Sequence, residues 1–346
     1  MPWTEIQADS GRGRETFEPR QGCVRELSYR DAIREALDQA LARDPRVFLI
    51  GEGIDDPGGV FGSTKGLAKL HGRERVMDMP LAENGLTGVA AGAAMTGMRP
   101  VLIHMRVDFL PMSMDQIVNH VAKWSYMTGG SVKVPLTIRA ITGRGWGSAA
   151  QHSQSLQALF AHVPGLQVVM PATPRDAKGL LLGAIAGSTP TLVLEHRWLY
   201  DRIGPVPEEQ YLIGAGSGVV LRCGADVTLV GVSYMVGELM LAAVELERIG
   251  ISAEVIDLRS VSPLDEELIA ASVRKTGRLL VADTGWKRCG ISAEVAAVVA
   301  ERAFDALRAP VRRICIADCP TPASHVLEQA CYPDVDGIVA AVRGML

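Results

Sequence analysis

From Leu27 onward the apolar positions alternate between two patterns, one with helical spacing and one of short continuous runs. Ser28 can cap a helix whose apolar residues Ile33, Leu37 and Leu41 fall three to four apart. Pro45 ends that helix, and 47–50 reads as a buried strand. A helix then opens near Glu83, and Arg99-Pro100 introduces the strand VLIHM. The next helix carries Met114, Ile117, Val121 and Trp124. The strand PLTIRA, a helix after His152, the strand LQVVM, a helix after Pro174 and the strand TLVLE complete this half. Strands without polar alternation, separated by helices, predict a parallel sheet covered on both faces.

The rhythm breaks over 202–223, where Pro205, Pro207 and the run GAGSG predict a linker or small hairpin. It resumes with DVTLVGVS, a helix around 239–246, SAEVIDL, a helix over 264–273, GRLLVAD, a helix over 293–303 and VRRICIA. The predicted organisation is an arm over 1–26, a doubly wound α/β domain over 27–201, the linker, and a smaller α/β domain over 224–346.

Composition narrows the function. With 346 residues, two domains can each bury a core. A net charge of −4 without a basic stripe, and 5% aromatic residues, speak against a nucleic-acid partner. No apolar run reaches about 18 residues, so no membrane span is expected. The polar segment before Leu27 does not look like a signal peptide. Cys23, Cys223, Cys289, Cys315, Cys319 and Cys331 are scattered without a CxxC, so they are expected to be buried free thiols in a reducing cytoplasm, with no metal site.

Two glycine clusters, Gly143–Gly147 and Gly214–Gly218, fail as dinucleotide signatures: the first lacks the third glycine and a following acid, and the second precedes its strand. The segment Met79–Gly97 says more. Its helix holds Gly85, Gly88, Gly92 and Gly97 among alanines, each costing ~1 kcal/mol in a helix interior, so something is expected to pack very close to it. Glu83 in the first turn is favourably placed by the helix dipole, which on its own leaves a structural role open.

Met79–Gly97 followed by Arg99-Pro100, then Met127–Gly130, Ala150–Gln154, His162–Leu166, Asp176–Leu180 and Val255–Arg259, resembles the beta subunits of pyruvate and branched-chain 2-oxo acid dehydrogenases, members of the thiamine-diphosphate-dependent transketolase superfamily. The resemblance runs from Leu27 to Leu346. It implies a pyrimidine-binding domain followed by a transketolase C-terminal-type domain. Glu83 would hydrogen-bond a ring nitrogen of the cofactor's aminopyrimidine and favour the imino tautomer that takes the thiazolium proton. Leu81, Met105 and Phe109 would contact that ring. His152 would stand at the mouth of the site as proton donor or orienter for substrate or lipoyl group. The resemblance further implies an alpha subunit whose GDG motif holds the diphosphate and magnesium, since this chain has no GDG. Beta–beta pairing in a heterotetramer, a lipoyl acyltransferase core and a small 2-oxo acid substrate follow from it.

The chain departs from the family at several positions. Met112 replaces a frequent glutamine, His104 and Arg106 are unusually basic, and Arg144 and Trp146 lie in the loop before His152. Arg106 or Arg144 could pair an anionic substrate group, or simply pack the loop. Ser188-Thr189 replaces the acidic-polar pair of the family's potassium site, and no potassium ion is assigned. Two alternatives stay open: a transketolase-like half-enzyme serving a dedicated biosynthetic pathway, and a catalytically silent scaffold. A nicotinamide oxidoreductase suffers from the incomplete glycine fingerprint.

Overall fold

The computed structural model describes residues 24–145 and 147–346. The arm placed over 1–26, apart from its last three residues, lies outside the described residues, as do Cys23 and Trp146. The strands are β1 (Val24–Ser28), β2 (Val47–Gly51), β3 (Val76–Asp78), β4 (Arg99–His104), β5 (Thr137–Thr142), β6 (Gln167–Val169), β7 (Thr191–His196), β8 (Ile203–Pro207), β9 (Val219–Arg222), β10 (Val227–Gly231), β11 (Ala253–Asp257), β12 (Ser260–Ser262), β13 (Leu279–Trp286) and β14 (Arg312–Ile316).

The first helix spans Tyr29–Arg43 and is capped as its sequence predicts: Ser28 Oγ accepts from the Asp31 backbone N–H, and Ile33, Leu37 and Leu41 are buried. Strands β2, β5 and β7 are buried at every position, which is why their sequences show no polar alternation. They belong to a seven-stranded sheet in the order β12-β6-β7-β5-β4-β2-β3, parallel except where β12 runs against β6. A five-stranded sheet follows, ordered β14-β13-β10-β11-β9, with only β9 antiparallel.

The halves are interleaved more than the sequence suggests. Strand β12 leaves the second half to extend the first sheet. Within 202–223, β8 pairs with β1 and β9 with β11, so the two strands form no hairpin with each other. Each apolar core runs from one sheet into the other: Leu37 and Val101 share a cluster with Leu239, and Leu102 and Ile138 share one with Ile256.

Two further expectations need correction. In place of the helix expected to carry Met114 through Trp124 stand a π turn (Gln116–Val121) and a short helix (Trp124–Met127), preceded by a 3-10 turn (Val107–Ser113). Pro111 inside the 3-10 turn removes an N–H that a continuous α-helix would use. The cysteines are not uniformly buried: Cys223, Cys289 and Cys319 are exposed, and Cys315 and Cys331 are partly so.

Candidate functional site at the carboxyl edge of the large sheet

In a parallel sheet the carboxyl ends of all strands meet at one edge. The chain leaves β2 towards β3 on one side and leaves β4 towards β5 on the other, which opens a crevice between β2 and β4. Glu52 follows β2, Asp78 ends β3, His104 and Met105 end β4, and Gly143 follows β5.

Glu83 is the first residue of the helix Glu83–Met95 and is buried, with 6% of its surface exposed. The Ala82 cap supplies no side chain to this end of the helix. Thr87 Oγ1 donates to the Glu83 backbone carbonyl (2.8 Å), which fixes the first turn. Three carboxyls converge here. Burial first, and then the nearby charges of Glu83 and Asp78, push the Glu52 carboxyl up to about 7. Glu52 Oε1 is buried without a hydrogen-bond partner. Asp78 Oδ1 is held separately, by the Gly53 N–H at 2.6 Å.

Met105 is half-buried, its Cε 3.0 Å from where a Cβ on Gly53 would stand, so the glycine, at φ +63°, makes the room that methionine uses. Phe109 is also half-buried in the 3-10 turn, and its ring meets the His152 imidazole edge-to-face at 5.2 Å. The Glu83 helix packs on this same turn and on the π turn after it. The structure therefore gathers Glu83, Met105, Phe109 and His152 at one edge. Leu81, by contrast, is 81% exposed and touches no core, and Met112 is 61% exposed.

Among the described residues the glycine-rich helix meets a neighbour at Gly88, where a Cβ would stand 3.5 Å from Gln116 Oε1, but not along its Gly85–Gly92 side. A Cβ at Gly85 or Gly92 would meet nothing within 4 Å, and Val89 between them is exposed.

The basic departures are occupied internally. Arg106 donates to the Gly143 and His152 carbonyls and pairs with Asp108. Arg144 is buried with its guanidinium 3.7 Å from the Trp198 ring centre and 4.3 Å from that of Tyr332. Neither guanidinium is turned to an open cleft, so the expectation that one could pair an anionic substrate group loses its support. His104 is buried, its Nε2 lacks a partner, and burial pushes its imidazole down to about 4, so it is neutral. Glu52 was not singled out from sequence. Its only signal there is an acid between two glycines at the end of a buried apolar run.

The pyrimidine-binding domain of transketolase matches residues 25–202, and the transketolase C-terminal domain matches 216–338. The chain is 45% identical to the beta subunit of acetoin:2,6-dichlorophenolindophenol oxidoreductase from Cupriavidus necator, over 92% of this chain and 97% of that one. It is 42% identical to the mitochondrial pyruvate dehydrogenase E1 component subunit beta-1 of Arabidopsis thaliana, over 92% of this chain and 89% of that one. Among solved structures it resembles a split-gene transketolase described as an inactive beta4 tetramer, with TM-score 0.76 and 25% identity, over 92% of this chain and 98% of that one.

The chain belongs to the beta subunits of thiamine-diphosphate-dependent 2-oxo acid dehydrogenases. The edge suits the pyrimidine end of such a cofactor. Two acidic side chains, Glu83 and Glu52, the latter with an unpartnered buried oxygen, stand at the same edge as the half-buried Met105 and Phe109. A flat, basic heterocycle requires such a combination of acid and apolar wall.

Proposed function

We propose that this beta subunit works with an alpha subunit in the oxidative decarboxylation of a 2-oxo acid, passing the acyl group to a lipoyl group. The observation that carries the proposal is the buried Glu83 carboxyl at the crevice edge, beside Glu52, on a helix packed against the 3-10 turn whose Phe109 meets the His152 ring. Bound thiamine diphosphate supplies the electron sink for loss of carbon dioxide. The chain's own residues do the rest. Glu83 would hydrogen-bond the pyrimidine ring, and its burial would keep water from competing for that bond. Met105 and Phe109 orient that ring, with Leu81 reaching it from the open side. His152, exposed at the mouth, delivers or orients a proton for the acyl acceptor.

The same reading assigns the GDG motif, the diphosphate and the magnesium ion to the alpha subunit. The open face of Gly85, Val89 and Gly92 is where a second chain would sit in a heterotetramer. It further includes the division at 27–201 and 224–346, docking on a lipoyl acyltransferase core, and a place in the cytoplasm, where exposed free thiols persist. Among the described residues, no helix is long and apolar enough to cross a membrane.

A second reading of the substrate has its own support. The relatives at 45% identity are named for acetoin, which has no carboxylate, and Arg106 and Arg144 are both engaged inside this chain. The test is dye reduction by the complex of this chain with its alpha partner, across a panel of 2-oxo acids and acetoin, with and without thiamine diphosphate and magnesium. Cofactor-dependent turnover of a 2-oxo acid supports the first reading, and turnover of acetoin alone supports the second. No turnover with any of them would overturn both.

A further inference from the structure

The loop between β5 and the helix Gln157–Ala161 carries His152, and its ends are tied together from below. Gly143 N–H and Thr142 Oγ1 both donate to the Gln154 carbonyl, at 2.9 and 3.1 Å. Inside the loop, Gly143 and Gly147 take positive φ (78° and 67°) freely, whereas Ala149, at φ 58°, is held in a conformation that an L side chain rarely adopts.

What holds it is a pair of charges from the neighbouring strand end. Arg106 Nη2 donates to two carbonyls at opposite ends of the loop, that of Gly143 at 2.5 Å and that of His152. Its Nε donates to Asp108 Oδ2 at 3.2 Å. The other carboxylate oxygen, Asp108 Oδ1, accepts from the Gln154 backbone N–H at 3.0 Å. The Arg106 and Asp108 side chains are only 9% and 1% exposed. A buried pair of this kind contributes little net stability over apolar replacements, but its directional bonds specify one geometry. Here that geometry is the placement of the His152 backbone, and Phe109, directly after Asp108, supplies the ring on which the imidazole rests.

We propose that Arg106 and Asp108 are positioning residues for His152: one guanidinium and one carboxylate clamp the 143–154 loop so that the imidazole sits on Phe109 at the mouth of the site. The inference rests on the functional reading of His152 given above. It explains why a basic residue stands at 106, where its ion-pair partner among the described residues is Asp108.

The test is a cycle in the assembled enzyme, reading acyl transfer to lipoamide beside dye reduction. The double substitution R106M/D108N removes both charges together and leaves no unpaired buried ion. It should slow acyl transfer by about ten-fold or more, since small misplacements of a reacting group carry penalties of that order. In an H152A background the same pair should change the rate by less than about two-fold, because its effect runs through the missing imidazole. R106K keeps the positive charge but has one nitrogen where Nε holds Asp108 and Nη2 holds the two carbonyls, so it cannot make both sets of bonds at once; it assembles and shows the same loss confined to His152-containing enzyme. An equal loss in both backgrounds, or wild-type transfer by R106M/D108N and R106K, overturns the clamp while H152A remains slow. Wild-type transfer by H152A itself overturns the role of His152, and the clamp with it.

Discussion

Among the described residues Arg139 is the largest fully buried side chain, and it sits mid-sheet on β5. Its Nε and Nη2 donate to the two oxygens of Glu195 on β7 at 2.6 and 2.8 Å, and Nη2 also reaches Ser63 Oγ at 3.0 Å. Glu195 takes a further bond from the Tyr200 hydroxyl at 2.6 Å. Nη1 has no partner, so the pair is not fully satisfied and adds little beyond an apolar pair of the same volume. Removing one member is another matter. Arg139→Met leaves an ionised carboxylate, 1% exposed, with only a tyrosine hydroxyl, which costs about 3–5 kcal/mol. Adding Glu195→Gln removes the charge but keeps an acceptor for Tyr200, so the double variant should return to within about 1–2 kcal/mol of wild type. Urea unfolding followed by far-ultraviolet circular dichroism reads both values, provided the slope against denaturant is unchanged. If R139M alone loses less than about 1 kcal/mol, or E195Q fails to restore it, the argument from unpaired buried charge is wrong.

Other consequences can be checked independently. His152→Ala should reduce acyl transfer to lipoamide by about 10²-fold while dye reduction falls much less, and equal losses would mean that the imidazole acts in substrate binding. Burial, and then the charges of Arg144, Arg106 and Arg202, push His196 down to about 3. The fold therefore holds a neutral ring, and stability present above pH ~6.5 is lost as the pH falls towards 3. Melting temperatures between pH 7.5 and 5 should fall less for His196→Gln than for wild type, and parallel curves would contradict this. Gly92→Leu should leave the isolated chain folded, since its Cβ meets open space, yet block assembly with the alpha partner on gel filtration; normal assembly would remove this face from the interface.

Most elements were legible because their causes are local. The Ser28 cap, the stop at Pro45 and the unbroken apolar run of β2 need no distant partner. Non-local pairing was hidden: β12 is three residues long and owes its existence to β6. The stretch 107–127 kept helical spacing in sequence, but the chain there bends around the sheet edge through 3-10 and π turns. The cysteines were misjudged because their exposure depends on tertiary placement. Cys319 and Cys331, twelve positions apart, bring their sulfurs to 3.8 Å. Of the site, Glu83, Met105, Phe109 and His152 came from resemblance, since spacing alone left each with an ordinary packing role. Glu52 went unnoticed because one acid after an apolar strand carries no pattern until the neighbouring carboxyls are seen in space.

The role proposed for the Glu83 carboxyl in this subunit's catalysis is tested by Glu83→Gln. The substitution keeps size and helix position but removes the acid. The variant should assemble with its alpha partner and retain its melting temperature, while cofactor-dependent dye reduction falls by about 10²–10⁴-fold. Turnover near the wild-type rate at saturating thiamine diphosphate would contradict it.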